Sequence, residues 1–133
     1  MLATMFLDLD DFKMINDTLG HDIGDQLLVE VSKRLVSTLK NSDIVARIGG
    51  DEFIMVIEDV ENIDYINIVS EKIIKCFNDP FRFNNQECFI TTSLGIAIYP
   101  NDGVNAEDLI KNADIAMYRL RQKTRTNMLF VLQ

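Results

Sequence analysis

The sequence predicts an α/β fold of the α+β kind, a sandwich of one mixed or mostly antiparallel sheet flanked by helices, rather than a doubly wound parallel sheet. Three observations carry this. The chain has 133 residues, 47% of them apolar, which suits one domain, residues 1–133, built around one core. Its periodic segments read β-α-α-β-β-α-β-β-α-β, so strands follow one another directly as well as across helices. Two of the direct successions run through short turn signals, Gly49-Gly50 and Asn84-Asn85, which make hairpins.

Taken in order, residues 3–9 form an apolar run and read as a buried strand. Asp10 or Asp11 then caps a short helix that ends near Gly20, and "GHDIGD" reads as a loop. Leu27, Leu28, Val31, Leu35, Val36 and Leu39 share one helical face, giving an amphipathic helix over about 25–39 that "NSD" stops. Residues 43–48 and 53–58 are two strands joined at the glycine pair. Tyr65, Ile66, Val69, Ile73, Cys76 and Phe77 mark a second long helix, ended by Asn78-Asp79-Pro80. Residues 81–83 and 88–98 form the next hairpin, and Gly95 inside the longer strand signals a bulge or a close backbone approach. "YPNDG" is a loop. Leu109, Ile110, Ala113, Ala116, Met117 and Leu120 stripe a third long helix capped from about Asn105, and 128–132 is a final short strand.

Thirteen basic against twenty-one acidic residues leave a net charge of −8, which argues against a sequence-blind nucleic-acid binder. No apolar run reaches the roughly 18 residues that span a bilayer, and no secretory leader is visible. The expectation is a cytoplasmic domain without membrane contact, any anchoring being left to other parts of a longer protein. Cys76 and Cys88 lack metal-type spacing and read as reduced, packed thiols.

The chemistry is carried by acids at strand ends. Asp8 and Asp10 close the first strand, and Asp51 and Glu52 stand at the tip of the first hairpin. If these strands pair in one sheet, the acids converge on one edge. Converging carboxylates repel unless a divalent cation joins them, and an all-oxygen donor set selects Mg²⁺ or Mn²⁺. The stretch "DLDDFKMINDTL" is not an EF-hand loop: Phe12, Lys13 and Leu19 occupy positions that need an oxygen ligand, a glycine and a glutamate.

"FLDLDDFKMINDTLGHDIGDQLL", "ARIGGDEFIMVI", "TTSLGIAIYP" and "ADIAMYRLRQKTR" resemble, in order, the motif blocks of GGDEF-type diguanylate cyclase domains. The resemblance covers Phe6 to about Asn127. It implies a sheet flanked by helices, akin to the palm of nucleotidyl cyclases and polymerases, and condensation of two GTP into cyclic di-GMP and pyrophosphate with Mg²⁺ or Mn²⁺, two ions per site. Carried over by position, Asp8, Asp51, Glu52 and the Leu9 carbonyl are metal ligands. Asp51 or Glu52 handles the 3′-hydroxyl proton, and Lys13 steadies transition-state charge. Gly49 and Gly50 give the nucleotide clearance. Asn16 and Asp25 read guanine, with His21 nearby. On residue type alone, Asn16 and Asp25 would be helix-end caps and His21 a solvated loop residue. Arg121 and Arg125 stand where the resemblance places a Lys and an Arg on the β- and γ-phosphates; on residue type alone they complement the negative end of a helix dipole, an effect of about 0.3–1 kcal/mol each.

The sequence departs from the pattern in places. Thr124 replaces a glycine before the final arginine, and Arg stands for Lys at 121. The Arg-x-x-Asp of a product-inhibition site reads Lys40-Asn-Ser-Asp43, with Arg47 at a further position near that product. Lysine lacks the planar fork, so product inhibition is expected to be weak or absent. A preceding helix and "D-x-L-T-G-L-x-N-R" stretch are expected in the family, so the chain reads as N-terminally truncated, with lower stability and weak GTP affinity. The resemblance implies a homodimer for turnover, each copy presenting one GTP, and fusion to sensory or phosphodiesterase domains. The alternative is a non-catalytic module that binds GTP and regulates such a partner domain. A metal-dependent nucleotidyl transferase on another substrate is more distant.

Overall fold

The computed structural model describes residues 1–123 and 129–131, with side chains described through Met117. The elements are β1 (Leu2–Leu9), α1 (Phe12–Leu19), α2 (His21–Ser37), β2 (Ile44–Gly49), β3 (Glu52–Ile57), α3 (Ile63–Lys75), β4 (Phe81–Phe83), β5 (Gln86–Cys88), β6 (Thr92–Tyr99), α4 (Ala106–Lys123) and β7 (Leu129–Val131).

β1 is the centre of a five-stranded sheet ordered β2-β3-β1-β6-β7. It pairs antiparallel with β3 on one side and β6 on the other, and β7 joins β6 in parallel. The expected sheet flanked by helices is therefore present. A strand covered on both faces must be apolar at consecutive positions, as β1 is: Ala3 to Leu9 are all buried. Because side chains alternate across a sheet, the odd and even residues of β1 serve two cores. Ala3, Met5, Leu7 and Leu9 join the large cluster with Leu27, Val31 and Leu35 of α2 and Ile66, Val69 and Ile73 of α3. Phe6 joins a smaller one with Ile54, Ala97 and the Leu109, Ala113 and Met117 stripe of α4.

Gly95 explains how α4 lies so near the sheet. A Cβ there would overlap the Ala113 carbonyl oxygen and the Met117 backbone nitrogen. The β1–β6 register runs unbroken from Leu2–Tyr99 to Leu9–Thr92, so Gly95 marks a close approach and no bulge. The expected cap at Asn105 is seen, its Oδ1 accepting from the Asp108 N–H at 2.8 Å. Asn62 caps α3 in the same way, accepting from Tyr65 at 3.2 Å.

Four expectations need correction. "GHDIGD" is the first turns of α2, not a loop: only Gly20, at φ 96°, breaks the chain, and Gly24 is a buried helical residue. The 88–98 strand is two strands. Asn84 and Asn85, at φ 48° and 69°, close a tight hairpin that keeps β5 on β4 in its own two-stranded sheet, and β6 starts afresh at Thr92. The single sheet expected is two sheets among the described residues. The start of α1 differs from the side-chain cap expected. Asp11 occupies the cap position at φ 58° without a side-chain cap bond, and the Asp10 carboxylate turns to the sheet.

Candidate metal and nucleotide site

Antiparallel pairing of β1 with β3 sets Asp8 directly opposite Glu52. The turn between β2 and β3 then places Asp51 beside them, and its carbonyl accepts the Leu9 N–H at 3.2 Å. One carboxylate oxygen from each of Asp8, Asp51 and Glu52 lies within 4.8 Å of the others. Asp8 is buried and the other two are half-buried. Three carboxylates held this close, with oxygen-only donors, fit a hard divalent cation.

The glycine pair shapes the tip. Gly49 at φ 149° and Gly50 at φ 48° take conformations that L side chains rarely adopt, after a register shift between Arg47 and Gly49. A Cβ at either would meet nothing within 4 Å, so the space beside the tip is open. The Arg47 Nε donates to the Gly50 carbonyl at 2.9 Å and pins the turn.

Next to the acids is a cavity of about 270 Å³ lined by Leu9, Asp10, Asp11, Phe12, Lys13, Asp51 and Thr91. It brings together Leu9, Lys13 and Asp51, three of the residues singled out by sequence. Glu52 is absent from its wall, so the two adjacent acids, indistinguishable by spacing, have different surroundings. The start of α1 faces this cavity, and a helix N-terminus favours anions.

Asn16 is half-buried, and its side-chain oxygen fills the space a Gly24 Cβ would need. This sets it one residue from Asp25. Asp25 is exposed and lines a separate shallow cavity with Gln26, Val29, Glu30, Arg82 and Phe83. His21 is exposed at the start of α2. Arg121 lies on the last turn of α4 with its side chain outside the described residues, and Arg125 lies outside them altogether.

Lys40 and Asp43 are engaged in holding the fold. Asp43 accepts from the Lys40 N–H at 3.0 Å and the Glu58 N–H at 3.1 Å. The Lys40 ammonium donates to the Glu58 carbonyl at 3.2 Å and sits 5.2 Å from the Tyr65 ring centre. Cys76 and Cys88 are free thiols. Burial, partly offset by Arg34, pushes Cys76 up to about 11, and burial raises Cys88.

Two arrangements escaped the sequence reading. Thr91 and Ser93 donate to the two oxygens of Asp10 at 2.7 and 2.8 Å. The available signal was three hydroxyl residues, Thr91 to Ser93, opening an otherwise apolar strand. Arg34 donates to the carbonyls of Cys76, Asp79 and Pro80 at 2.7, 2.7 and 2.8 Å and lies 3.6 Å over the Phe81 ring. An arginine on an amphipathic helix gives no warning of that. Among the described residues, no helix is long and apolar enough to cross a membrane.

The family model described as "Diguanylate cyclase, GGDEF domain" matches residues 1–127. The chain is 45% identical over 129 residues to the cyclic di-GMP phosphodiesterase NbdA of Pseudomonas aeruginosa, covering 97% of this chain and 16% of that protein. It is 41% identical over 128 residues to the bifunctional diguanylate cyclase/cyclic di-GMP phosphodiesterase MucR of the same organism, covering 96% of this chain and 18% of MucR. The chain thus spans less than a fifth of these relatives. The solved GGDEF domain of TpbB (YfiN) from Pseudomonas aeruginosa superposes with a TM-score of 0.95 at 33% identity, over 99% of this chain and 82% of that one. An EAL/GGDEF domain protein from M. capsulatus gives 0.92 at 38% identity, over 99% and 84%.

Proposed function

The chain belongs to the diguanylate cyclase GGDEF-domain family, and from that premise we propose that it condenses two GTP into cyclic di-GMP with release of pyrophosphate. The observation that carries the reading is the convergence of Asp8, Asp51 and Glu52 within 4.8 Å, beside a cavity that Lys13 and Asp51 line. These acids, with the Leu9 carbonyl, would hold Mg²⁺ or Mn²⁺, two per site. A metal held by these residues would supply charge neutralisation of the triphosphate and lower the pKa of the attacking hydroxyl.

The chain's own groups do the rest. Asp51 lines the cavity and takes the 3′-hydroxyl proton as the oxygen attacks the α-phosphorus and pyrophosphate leaves. Lys13 and the N-terminus of α1 offset the charge that grows on the phosphoryl oxygens. The bare Gly49-Gly50 tip lets the nucleotide lie against the backbone. Asn16 and Asp25 accept from the guanine N1–H and 2-amino donors, a pattern adenine reverses, with His21 beside the base. Arg121 and Arg125 hold the β- and γ-phosphates. Each of two copies presents one GTP, so turnover needs a two-fold dimer.

A second reading is favoured by relatives named as phosphodiesterases alone, among them one at 45% identity. In it the domain binds GTP and regulates a linked phosphodiesterase without turning over.

Incubation with GTP and Mg²⁺, followed by chromatography for cyclic di-GMP, tests both. Product is expected from the native chain and at least about 100-fold less from Asp51→Ala and Glu52→Ala. Product that persists unchanged in both variants would defeat the metal-site assignment, and GTP binding without product would favour the regulatory reading.

A further inference from the structure

Asp10 is tied at three points to Thr91 and Ser93, where the chain enters β6. Its Oδ2 accepts from the Thr91 hydroxyl at 2.7 Å, its Oδ1 from the Ser93 hydroxyl at 2.8 Å, and its N–H donates to the Thr91 carbonyl at 2.9 Å. The Thr92 hydroxyl donates to the Asp8 carbonyl at 2.8 Å just before it. These bonds fix the point where the chain leaves the sheet. Immediately afterwards Asp11 sits at φ 58°, a left-handed conformation that aspartate adopts more readily than most residues and that turns the chain sharply into α1. That turn delivers the start of α1 to the cavity, whose wall includes every residue from Leu9 to Lys13. Ser93 is 0% exposed and is not part of that wall. Its hydroxyl therefore bears on the cavity through Asp10.

We propose that Asp10, gripped by Thr91 and Ser93, is a positioning residue that sets the Leu9–Lys13 segment for the triphosphate of GTP. This rests on the GTP-binding reading above. A carboxylate bound by hydroxyls at both oxygens has its orientation fixed, and charge-assisted bonds of this kind are the stronger ones. Its role is to hold the α1 N-terminus and Lys13 ready before the nucleotide arrives, so that binding does not have to order them.

The test uses the 133-residue chain and measures Mn²⁺ binding, affinity for a non-reacting GTP analogue with a methylene between the α- and β-phosphates, thermal melting, and cyclic di-GMP formation from GTP. Ser93→Ala is expected to weaken the analogue about tenfold, the equivalent of one bond to a charged group, while Mn²⁺ affinity changes less. Asp10→Asn keeps the shape and one acceptor oxygen, so its analogue affinity should fall between the native chain and Asp10→Ala. Analogue affinity in Ser93→Ala within twofold of native would overturn the proposal. So would losses that simply follow Tm across the series with Asp10→Asn no better than Asp10→Ala, since that describes a structural role alone. A native chain that binds the analogue yet makes no cyclic di-GMP would remove the cyclase reading, and the same affinity differences would still decide the role of Asp10. A native chain that binds no analogue overturns both.

Discussion

Removing the Arg34 side chain should cost this fold about 3 kcal/mol, a figure that follows from its contacts. The guanidinium reaches from α2 to three carbonyls, at Cys76, Asp79 and Pro80, where α3 ends and the chain turns toward β4. The Asp79 bond is exposed, so water replaces it at little loss. The bonds to Cys76 and Pro80 are partly buried and charge-assisted, worth about 1.5 kcal/mol each at the low end of their range. Stacking over Phe81 at 3.6 Å adds roughly 0.5 kcal/mol, part of it shared with the packing of the side-chain stem. Arg34→Ala should lower the urea midpoint by an amount equivalent to about 3 kcal/mol with an unchanged slope, and lower Tm by roughly 10 °C. Arg34→Lys keeps the charge but has no planar fork to span three acceptors, so it should recover less than half of the loss. A loss under about 1 kcal/mol, or an Arg34→Lys variant as stable as native, would show that these carbonyls are satisfied without the guanidinium.

Gly95→Ala should be worse, costing about 3 kcal/mol or more, because the added methyl overlaps backbone atoms of α4 that no rotamer change can clear; denaturation within 1 kcal/mol of native would mean that α4 can lift off β6. The Cys76 thiol gives a pH prediction. Ionising near its ordinary 9 when unfolded and near 11 when folded, it leaves the unfolded state with fewer protons between those values, so stability should fall as pH rises from about 9 to 11. Because the group is partly exposed the fall should be modest, and Cys76→Ser should flatten it; an identical alkaline slope in that variant would assign the effect elsewhere.

Sequence specifies structure most directly where a pattern is long and one-sided. The β1 run, the stripes of α3 and α4 and the glycine pair each had a single consistent physical solution, and the edge at which Asp8 meets Glu52 followed once β1 and β3 paired. Sequence specifies less where a residue type has two uses. Gly24 reads as loop chemistry, yet it lies in α2, and a glycine stands there because the Asn16 side chain occupies the space a Cβ would need. Asn84-Asn85 announced a hairpin correctly, but periodicity could not say that its return strand stops at Cys88 and leaves the main sheet.

Asp10 shows why the site was only partly legible. Beside a helix start, an aspartate is best read as a cap, since the local backbone offers unpaired N–H groups and sequence contains only local neighbours. Its actual donors, Thr91 just before β6 and Ser93 within it, lie more than 80 positions away and become neighbours only through the β1–β6 pairing. The same pairing brings the Thr92 hydroxyl to the Asp8 carbonyl. Residues that meet across β1 and β3 could be guessed, because one hairpin and one strand had to share an edge. Those that meet across β1 and β6 required the order of the whole sheet. Asp51 and Glu52 stand between these cases: adjacent in sequence and alike in charge, they part company only in the folded chain, where Asp51 forms cavity wall and Glu52 faces Asp8 across the ladder. That difference in placement is the ground for proposing Asp51, itself one of the three acids of the metal site, as the acceptor of the hydroxyl proton.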